Sequence, residues 1–296
     1  MTAPVLAQTN RPRRPLLGIA YLIAAIVMFG VLEAVVKYLS QRYPIGQLIW
    51  ARFFFHLVLV LPFAIRAGLV RSLATARPGL QIFRSLLQLL ATGGMFIALR
   101  HVPLAEAVSI VYLAPLIVTA LSAPLLGEKI DARKWLAVVA GFAGVLVIMR
   151  PGLGVLHWAA SAALVTAFAY ALFQILTRRL GGSETTITTA LYTPVVGTVV
   201  ASLIAPFDWT GADLEGWMLM AGLGVFSGFG HVLVIKAFQH EEASKLAPVN
   251  YVHIAWSVVI GIVVFDTVPD LWTVTGALAI VASGLVVIAR RRPAPR

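Results

Sequence analysis

Arg100 to Pro115 reads RHVPLAEAVSIVYLAP, and Gln239 to Ile254 reads QHEEASKLAPVNYVHI. Slid by a constant 139 positions, His101 meets His240 and Tyr112 meets Tyr251. Ala98 falls on Ala237 just before, and Asp131 falls on Asp270 after. A second echo lies upstream: at an offset of 137, Ala34, Leu39 and Arg42 meet Ala171, Leu176 and Arg179, while Lys37 faces Gln174. A sparse pattern written twice, near half a chain apart, points to an internal duplication.

The rest of the chain sets the solvent in which that duplication folds. Of 296 residues, 60% are hydrophobic and 12% charged, whereas a soluble domain carries about 25% charge. A bilayer core ~30 Å thick takes ~20 apolar residues at ~1.5 Å each, so this length admits about ten crossings. The apolar runs divide as 16–39, 48–66, 80–99, 104–126, 134–149, 155–176, 185–205, 216–238, 244–265 and 271–289. Polar, turn-forming pieces such as GEKIDARK, RRLGGSE and PFDWTGADLEG separate them. Barrel strands would alternate apolar and polar residues; these runs do not. The expected fold class is an all-α membrane protein of ten transmembrane helices.

The net charge of +11 is distributed by side. With the N-terminus in the cytoplasm, 18 Lys and Arg fall on the cytoplasmic side and three, Arg42, Arg100 and Arg150, on the other. That is the positive-inside bias. The basicity is topological, so nucleic acid is not an expected partner; membrane lipids and a small-molecule substrate are. The expected location is the cytoplasmic membrane, multi-pass, with both termini cytoplasmic. RPRR followed by LLGIAYLIAAIVMFG imitates a signal peptide, but its apolar run exceeds such a region and no small-x-small site follows. It reads as the first retained span.

Several chemistries drop out. No cysteine occurs, which excludes disulfides and thiolate sites. No Walker loop and no HExxH or other close histidine spacing is present, so no cofactor or metal is expected. GLGVFSGFGH lacks the preceding strand of a phosphate loop, and Gly224 with Gly228 reads as a helix-packing GxxxG.

Ten spans divided by two leave five per half, and an odd number sends the second half into the membrane from the opposite side. Residues 1–152 and 153–296 are thus expected to be inverted repeats around a central cavity. Repeats related by a pseudo-two-fold axis in the membrane plane are typical of secondary transporters, with the site near mid-membrane. Spans five and ten are small-faced, through Gly141 with Gly144 and Gly276 with Gly284. They pack on each other or supply a homodimer contact.

The ordered motifs carry a resemblance. ARFFF (51–55), LAEAVSIVYLAPLIVTALSAPLLGEKIDARKWLAVVAGFAGVLVI (104–148) and its second copy SKLAPVNYVHIAWSVVIGIVVFDTVPDLWTVTGALAIVASGLVVI (244–288) resemble the EamA type of the drug/metabolite transporter superfamily. One departure is that Gly127-Glu128 becomes Phe265-Asp266 in the second copy. The resemblance implies movement of small metabolites: amino acids, nucleoside-like compounds or vitamins. Members with this layout export amino acids.

Ionisable groups in hydrocarbon cost about 2.5–3.5 kcal/mol on insertion scales and should face a cavity, a partner or the interface. Lys37 is expected to snorkel to the outer interface, Glu33 one turn deeper to meet a proton or cation, and Arg84 to sit at the cytoplasmic end. Arg52 is expected to pair helices structurally, with His56 as a pH-sensitive or packing group. Gln88 and Thr92 form one polar stripe with Arg84, and Thr166, Tyr170, Gln174 and Thr177 form another; each stripe lines a cavity or glues helices. Tyr112 before Pro115, and Pro248 before Asn250, Tyr251 and His253, place helix interruptions in equivalent spans but out of register. Treated as one helix, Asn250, His253 and Ser257 share a face, and Tyr251 points elsewhere. Asn250 and His253 are cavity groups or helix–helix hydrogen bonds, Trp256 is a wall or packing residue, and His231 looks into the cavity or packs.

Transport is the leading expectation, amino-acid export first, with uptake of a nucleoside-like or vitamin-like compound as the alternative. The rivals are an intramembrane enzyme using Glu33, Arg52 or His56 on a lipid-linked substrate, and a passive channel. Polar residues spread along both repeats favour a pathway over one reaction centre.

Overall fold

A computed structural model describes residues 15–127, 130–151, 158–180, 184–241 and 243–288. The first half runs α1 (Pro15–Leu39), α2 (Ile45–Arg66), a short α3 (Leu69–Leu73), α4 (Pro78–His101), α5 (Leu104–Val111), α6 (Ala114–Leu126) and α7 (Ala132–Met149). The second runs α8 (Trp158–Leu180), α9 (Thr186–Ile204), α10 (Leu214–His240), α11 (Ala243–Asn250), α12 (Val252–Phe265) and α13 (Leu271–Ile288). Among the described residues no strand occurs, and ten runs are long and apolar enough to cross a membrane. α5 with α6 makes span four, and α11 with α12 makes span nine. Helices suit this solvent because each satisfies its backbone within one segment.

Local sequence writes the span ends. Asp131 Oδ1 accepts the Lys134 N–H at 2.9 Å to cap α7, and Asp270 Oδ1 accepts the Thr273 N–H at 2.8 Å to cap α13. The two aspartates are the pair 139 apart, so the duplication preserves a cap. α6 ends on Gly127 (φ 70°) and α12 on Asp266 (φ 51°), again 139 apart. Asp266 therefore stands where Gly127 stands. The expected match of Gly127-Glu128 to Phe265-Asp266 is off by one, and an aspartate tolerates the left-handed turn that glycine takes freely.

Packing repeats under exchange of the halves. α1 lies on α10 as α8 lies on α4, and α2 meets α10 as α9 meets α4. The pairs α2–α9 and α7–α13 map onto themselves and mark the pseudo-two-fold axis. Two inverted five-helix repeats result. Lipid tails give no hydrophobic drive between helices, so close approach of small residues supplies the attraction. A Cβ on Gly144 would press on the Gly276 carbonyl at 2.8 Å, and one on Gly141 would meet Leu116 and Ser283. Gly141, Gly144 and Gly276 thus pack spans five and ten within the chain. Gly224 and Gly228 seat α10 against Phe55, His56 and Leu59 of α2, as the GxxxG reading expects.

Candidate functional site

Spans four and nine both break at a tyrosine. α5 ends at Tyr112 (φ −68°, ψ 1°) and α12 begins from Tyr251 (φ −67°, ψ −14°). The interruptions are in register, contrary to the expectation drawn from the prolines. Pro115 lacks the N–H that the Val111 carbonyl would accept and loosens the turn before it. Pro248 precedes its break instead, and the Tyr251 N–H closes a tight turn on the Pro248 carbonyl at 3.2 Å. The prolines approach one structural event from opposite sides.

At the seam the two tyrosine rings lie with centroids 5.5 Å apart, tilted by 50°. His253 packs edge-on to Tyr112 at 5.8 Å, and its Nδ1 is 3.2 Å from the Tyr112 hydroxyl. Its other nitrogen, Nε2, is 3.1 Å from Glu33 Oε2 on α1. One imidazole thus bridges spans one and four, with a carboxylate on one side and a phenol on the other. Tyr251 belongs to this cluster although the single-helix reading turned it away, because the break resets the helical phase between Asn250 and His253. Its identity with Tyr112 at the 139 spacing was the signal that could have found it.

Arg52 approaches from α2. Its guanidinium donates to Thr92 Oγ1 at 2.9 Å and lies 5.8 Å from the Phe53 and 5.7 Å from the Phe96 ring centroids. That bond joins α2 to α4. Glu33 and Tyr170 lie within its electrostatic reach, yet among the described residues no carboxylate pairs with it. Tyr170 is 38% exposed, and its ring stacks on Phe173 at 5.9 Å.

A second group lies around the histidines of α2 and α10. His56 and His231 stack at 5.7 Å, and Phe29 meets His231 edge-on at 5.4 Å. His231 Nδ1 is 2.7 Å from the Ser227 carbonyl, so the proton on that nitrogen is donated there. Arg84, six residues after the start of α4, is 2% exposed. It donates to Thr177 Oγ1 (3.3 Å), the Thr189 carbonyl (2.6 Å) and Thr193 Oγ1 (2.9 Å), and stands over the Phe173 ring at 4.9 Å. Gln88 is buried, while Gln174 and Asn250 are half-buried and join none of these contacts.

Lys37 also departs from expectation. Its ammonium donates to the carbonyls of Leu99 (2.9 Å) and Val102 (2.8 Å). The last carbonyls of a helix lack intrahelical donors, and Lys37 supplies them at the end of α4 instead of reaching for water.

Buried polar atoms without a well-aligned partner include Glu33 Oε2, His253 Nε2 and Arg52 Nε at the seam, Tyr251 Oη beside Gly284, Trp256 Nε1 beside Gly30, and further atoms of Gln81, Arg84, Gln88, Arg150 and Thr198. Buried polar groups are normally satisfied, so the three at the seam are where a ligand's own donors and acceptors belong. By contrast, the groove between α4 and α8 is lined by Leu87, Leu90, Leu164, Val165, Phe168 and Leu172 with Ser161 as its one polar side chain, and it suits lipid chains.

Contacts between the halves flank the seam at both ends. On the face away from the termini, Tyr38 donates to Glu215 at 3.1 Å, Tyr43 to Asp213 at 3.0 Å, and Arg150 pairs with Asp270 at 2.8 Å. The Asp213 carboxyl is held below its usual range by the Gly216 N–H and the Tyr43 hydroxyl. Partial desolvation pushes Asp270 up, but hydrogen bonds from Thr273 and Arg150 outweigh it and hold that carboxyl low. On the termini face, Thr75 donates to Glu184 at 2.7 Å and Tyr192 to the Leu73 carbonyl at 3.0 Å.

Inverted repeats with paired mid-span breaks and a polar seam define a membrane transporter of small metabolites. The model of the EamA-like transporter family matches residues 16–150 and again 157–289. The chain belongs to that family. It is 26% identical over 271 residues to the S-adenosylmethionine uptake transporter of Rickettsia prowazekii, covering 92% of each chain. It is 26% identical to the riboflavin transporter of Vibrio cholerae (91% and 92% covered) and 29% to the pseudopaline exporter CntI of Pseudomonas aeruginosa (90% and 94%). A solved crystal structure shares the fold with a TM-score of 0.64 at 18% identity, over 91% of this chain and 96% of that one.

Proposed function

We propose that this chain is a secondary carrier that moves amino acids or close derivatives across the cytoplasmic membrane by alternating access, with export as the first reading. Both termini are cytoplasmic in this proposal, following the charge bias, and residues 1–152 and 153–296 are the moving halves. The observation that carries it is the meeting of Tyr112 and Tyr251 at in-register breaks, on the axis that exchanges the halves. If two similar halves swap conformations about that axis, an inward-open state implies an outward-open counterpart. The polar contacts at the two ends of the seam are the gates released in turn.

The orphaned atoms at the seam include donors and acceptors, which suits a polar metabolite better than a lipid-linked one. S-adenosylmethionine, in the name of one relative, carries an amino-acid head group. A second reading, uptake of a vitamin-like compound, draws on the aromatic rings of Tyr112, Tyr251 and Trp256 and on the riboflavin transporters among the relatives. Proteoliposomes loaded with unlabelled amino acid should exchange it for labelled amino acid outside. No exchange across a panel of amino acids, S-adenosylmethionine and riboflavin would remove the carrier assignment.

A further inference from the structure

We propose that Glu33 and His253, with Tyr112 behind the imidazole, form a proton-binding site that couples this carrier to the proton gradient, one proton for each substrate molecule moved. The inference rests on the carrier reading and names what drives it.

Three observations carry it. First, the groups are in contact. His253 Nε2 lies 3.1 Å from Glu33 Oε2, and His253 Nδ1 lies 3.2 Å from the Tyr112 hydroxyl. A neutral imidazole has one N–H and one free nitrogen, so it donates on one side while accepting on the other. With the Tyr112 hydroxyl donating to Nδ1, the Nε2–H faces the Glu33 carboxylate, and the pair carries one negative charge. One added proton brings the pair to neutrality, whether the carboxyl or the ring holds it. The contact to Glu33 lacks the alignment of a hydrogen bond, so no fixed bond opposes loading and release.

Second, the pair is shielded and stands apart from other charges. Side-chain exposure is 9% for His253 and 12% for Glu33. One turn from each along its helix, Gly30 of α1 receives Trp256 of α12, where a Cβ on the glycine would collide with the indole and press on Ile260. A bare carboxylate held away from water is costly, so the halves move past each other with the pair neutral. The facing groups are engaged elsewhere. Arg52 of α2 donates to Thr92, the Tyr251 hydroxyl lies against Gly284, and Lys37 is held by the Leu99 and Val102 carbonyls with Glu106 of α5 in its electrostatic reach. From α10, His231 stacks on His56 and meets Phe29, while Lys236 and His240 stand against Tyr21. Lys245 of α11 pairs with Glu241, Arg150 with Asp270, and Tyr170 of α8 is in electrostatic reach of Tyr112. Among the described residues none of these makes an ion pair or hydrogen bond with Glu33 or His253.

Third, the pair is split between the halves. Glu33 and Tyr112 belong to the first and His253 to the second, at the start of α12 just past the break at Tyr251. One imidazole of the second half is thus held between two side chains of the first. Motion of one half against the other parts it from the carboxylate, from the phenol or from both. The hold on the proton then depends on which way the carrier faces, and that dependence is what coupling between two ligands consists of.

The test uses wild-type protein in proteoliposomes with the membrane potential clamped, and whichever of the twenty amino acids, S-adenosylmethionine and riboflavin exchanges. A pH difference of about one unit should hold a roughly tenfold gradient of that compound at one proton per molecule. A gradient of the compound should in turn shift the internal pH, and protons running with it or against it both meet the expectation. Glu33→Gln puts a neutral amide in place of the carboxyl. It should still exchange labelled for unlabelled compound while holding no gradient and moving no protons. His253→Gln should lower the protons moved per molecule in the same way, whereas Tyr112→Phe, which leaves the pair in place, should stay coupled. Exchange in wild-type protein without a pH-driven gradient or proton movement would overturn the inference and leave the carrier standing. So would full coupling in Glu33→Gln, or a folded, inserted Glu33→Gln protein with no exchange at all. Silence across the whole panel in wild-type protein removes the carrier reading and this inference together.

Discussion

Tyr112 and Tyr251 are separated by 139 positions in the chain and by 5.5 Å between ring centroids. Each sits at the break of its own span, so the axis relating the two halves runs between their rings. A duplicated, inverted chain has to meet itself somewhere, and here it does so with two aromatic residues whose helices have just lost their backbone continuity. A broken span at membrane depth is tolerated where it lines a cavity, and the orphaned polar atoms lie beside it.

His253 bridges Glu33 and Tyr112, whereas Asn250 lies one residue before the break and, among the described residues, joins no such contact. His253→Ala should therefore reduce exchange at least tenfold in folded, inserted protein, and Asn250→Ala should reduce it far less. Equal losses, measured as initial exchange rates at matched protein levels, would remove the distinction.

Tyr112→Phe keeps the ring stack on Tyr251 and removes the hydroxyl that reaches His253 Nδ1. Loss of one hydrogen bond costs about 0.5–1.5 kcal/mol. The variant should stay folded and show a several-fold change in exchange, with Tyr112→Ala far more damaging. A Tyr112→Phe protein as poor as Tyr112→Ala would place the importance in the hydroxyl alone.

Among the described residues Arg84 joins α4 of one half to α8 and α9 of the other with three hydrogen bonds and no acid. A hydrogen bond from a charged group contributes about 1.5–3 kcal/mol. Arg84→Gln should lower the detergent melting temperature strongly, while Thr193→Val, which removes one acceptor, should lower it modestly. Arg84→Gln melting like wild type would show that the staple is idle.

Gly276 lies against the Gly144 carbonyl at the α7–α13 crossing. Gly276→Leu must push the two helices apart, and overpacking of this kind costs about 1–3 kcal/mol. Melting in detergent should fall accordingly, whereas the same change at Gly79, where a Cβ meets nothing within 4 Å, should be nearly silent. Comparable effects at both positions would contradict the close approach.

Acid should loosen the face away from the termini only at low pH. Asp213 and Asp270 are held below the usual carboxylate value of about 3.9, so their contribution is fully present above that value. It is lost as pH falls through their lower folded values. Protease protection of the loops at 205–213 and 266–270 should thus be constant from neutral pH down to about 5. Loosening that begins near pH 6 would assign the linkage to a histidine instead.

Much of this was legible in the chain. Hydropathy in each window gave the ten spans, because the solvent acts on every residue independently. Charge by loop gave the proposed sidedness, and the 139 spacing gave the duplication. Asp131 and Asp270 were visible as a matched pair because a cap needs only the three residues that follow it. Those are local or additive properties, and a linear reading captures them.

The site was not legible in the same way. Whether a side chain faces the seam depends on the rotational setting of its helix, which advances about 100° per residue, and a break shifts that setting for everything beyond it. Hence Tyr251 was turned outward in a reading that assumed one continuous helix, and Lys37 was sent to water although the end of α4 stood beside it. Sequence fixed the solvent, the number of crossings and the repeat. Only the tertiary structure decided that Glu33 meets His253, that Arg52 finds Thr92, and that both breaks fall on tyrosine, because these contacts arise between helices whose relative rotation no single stretch of chain records.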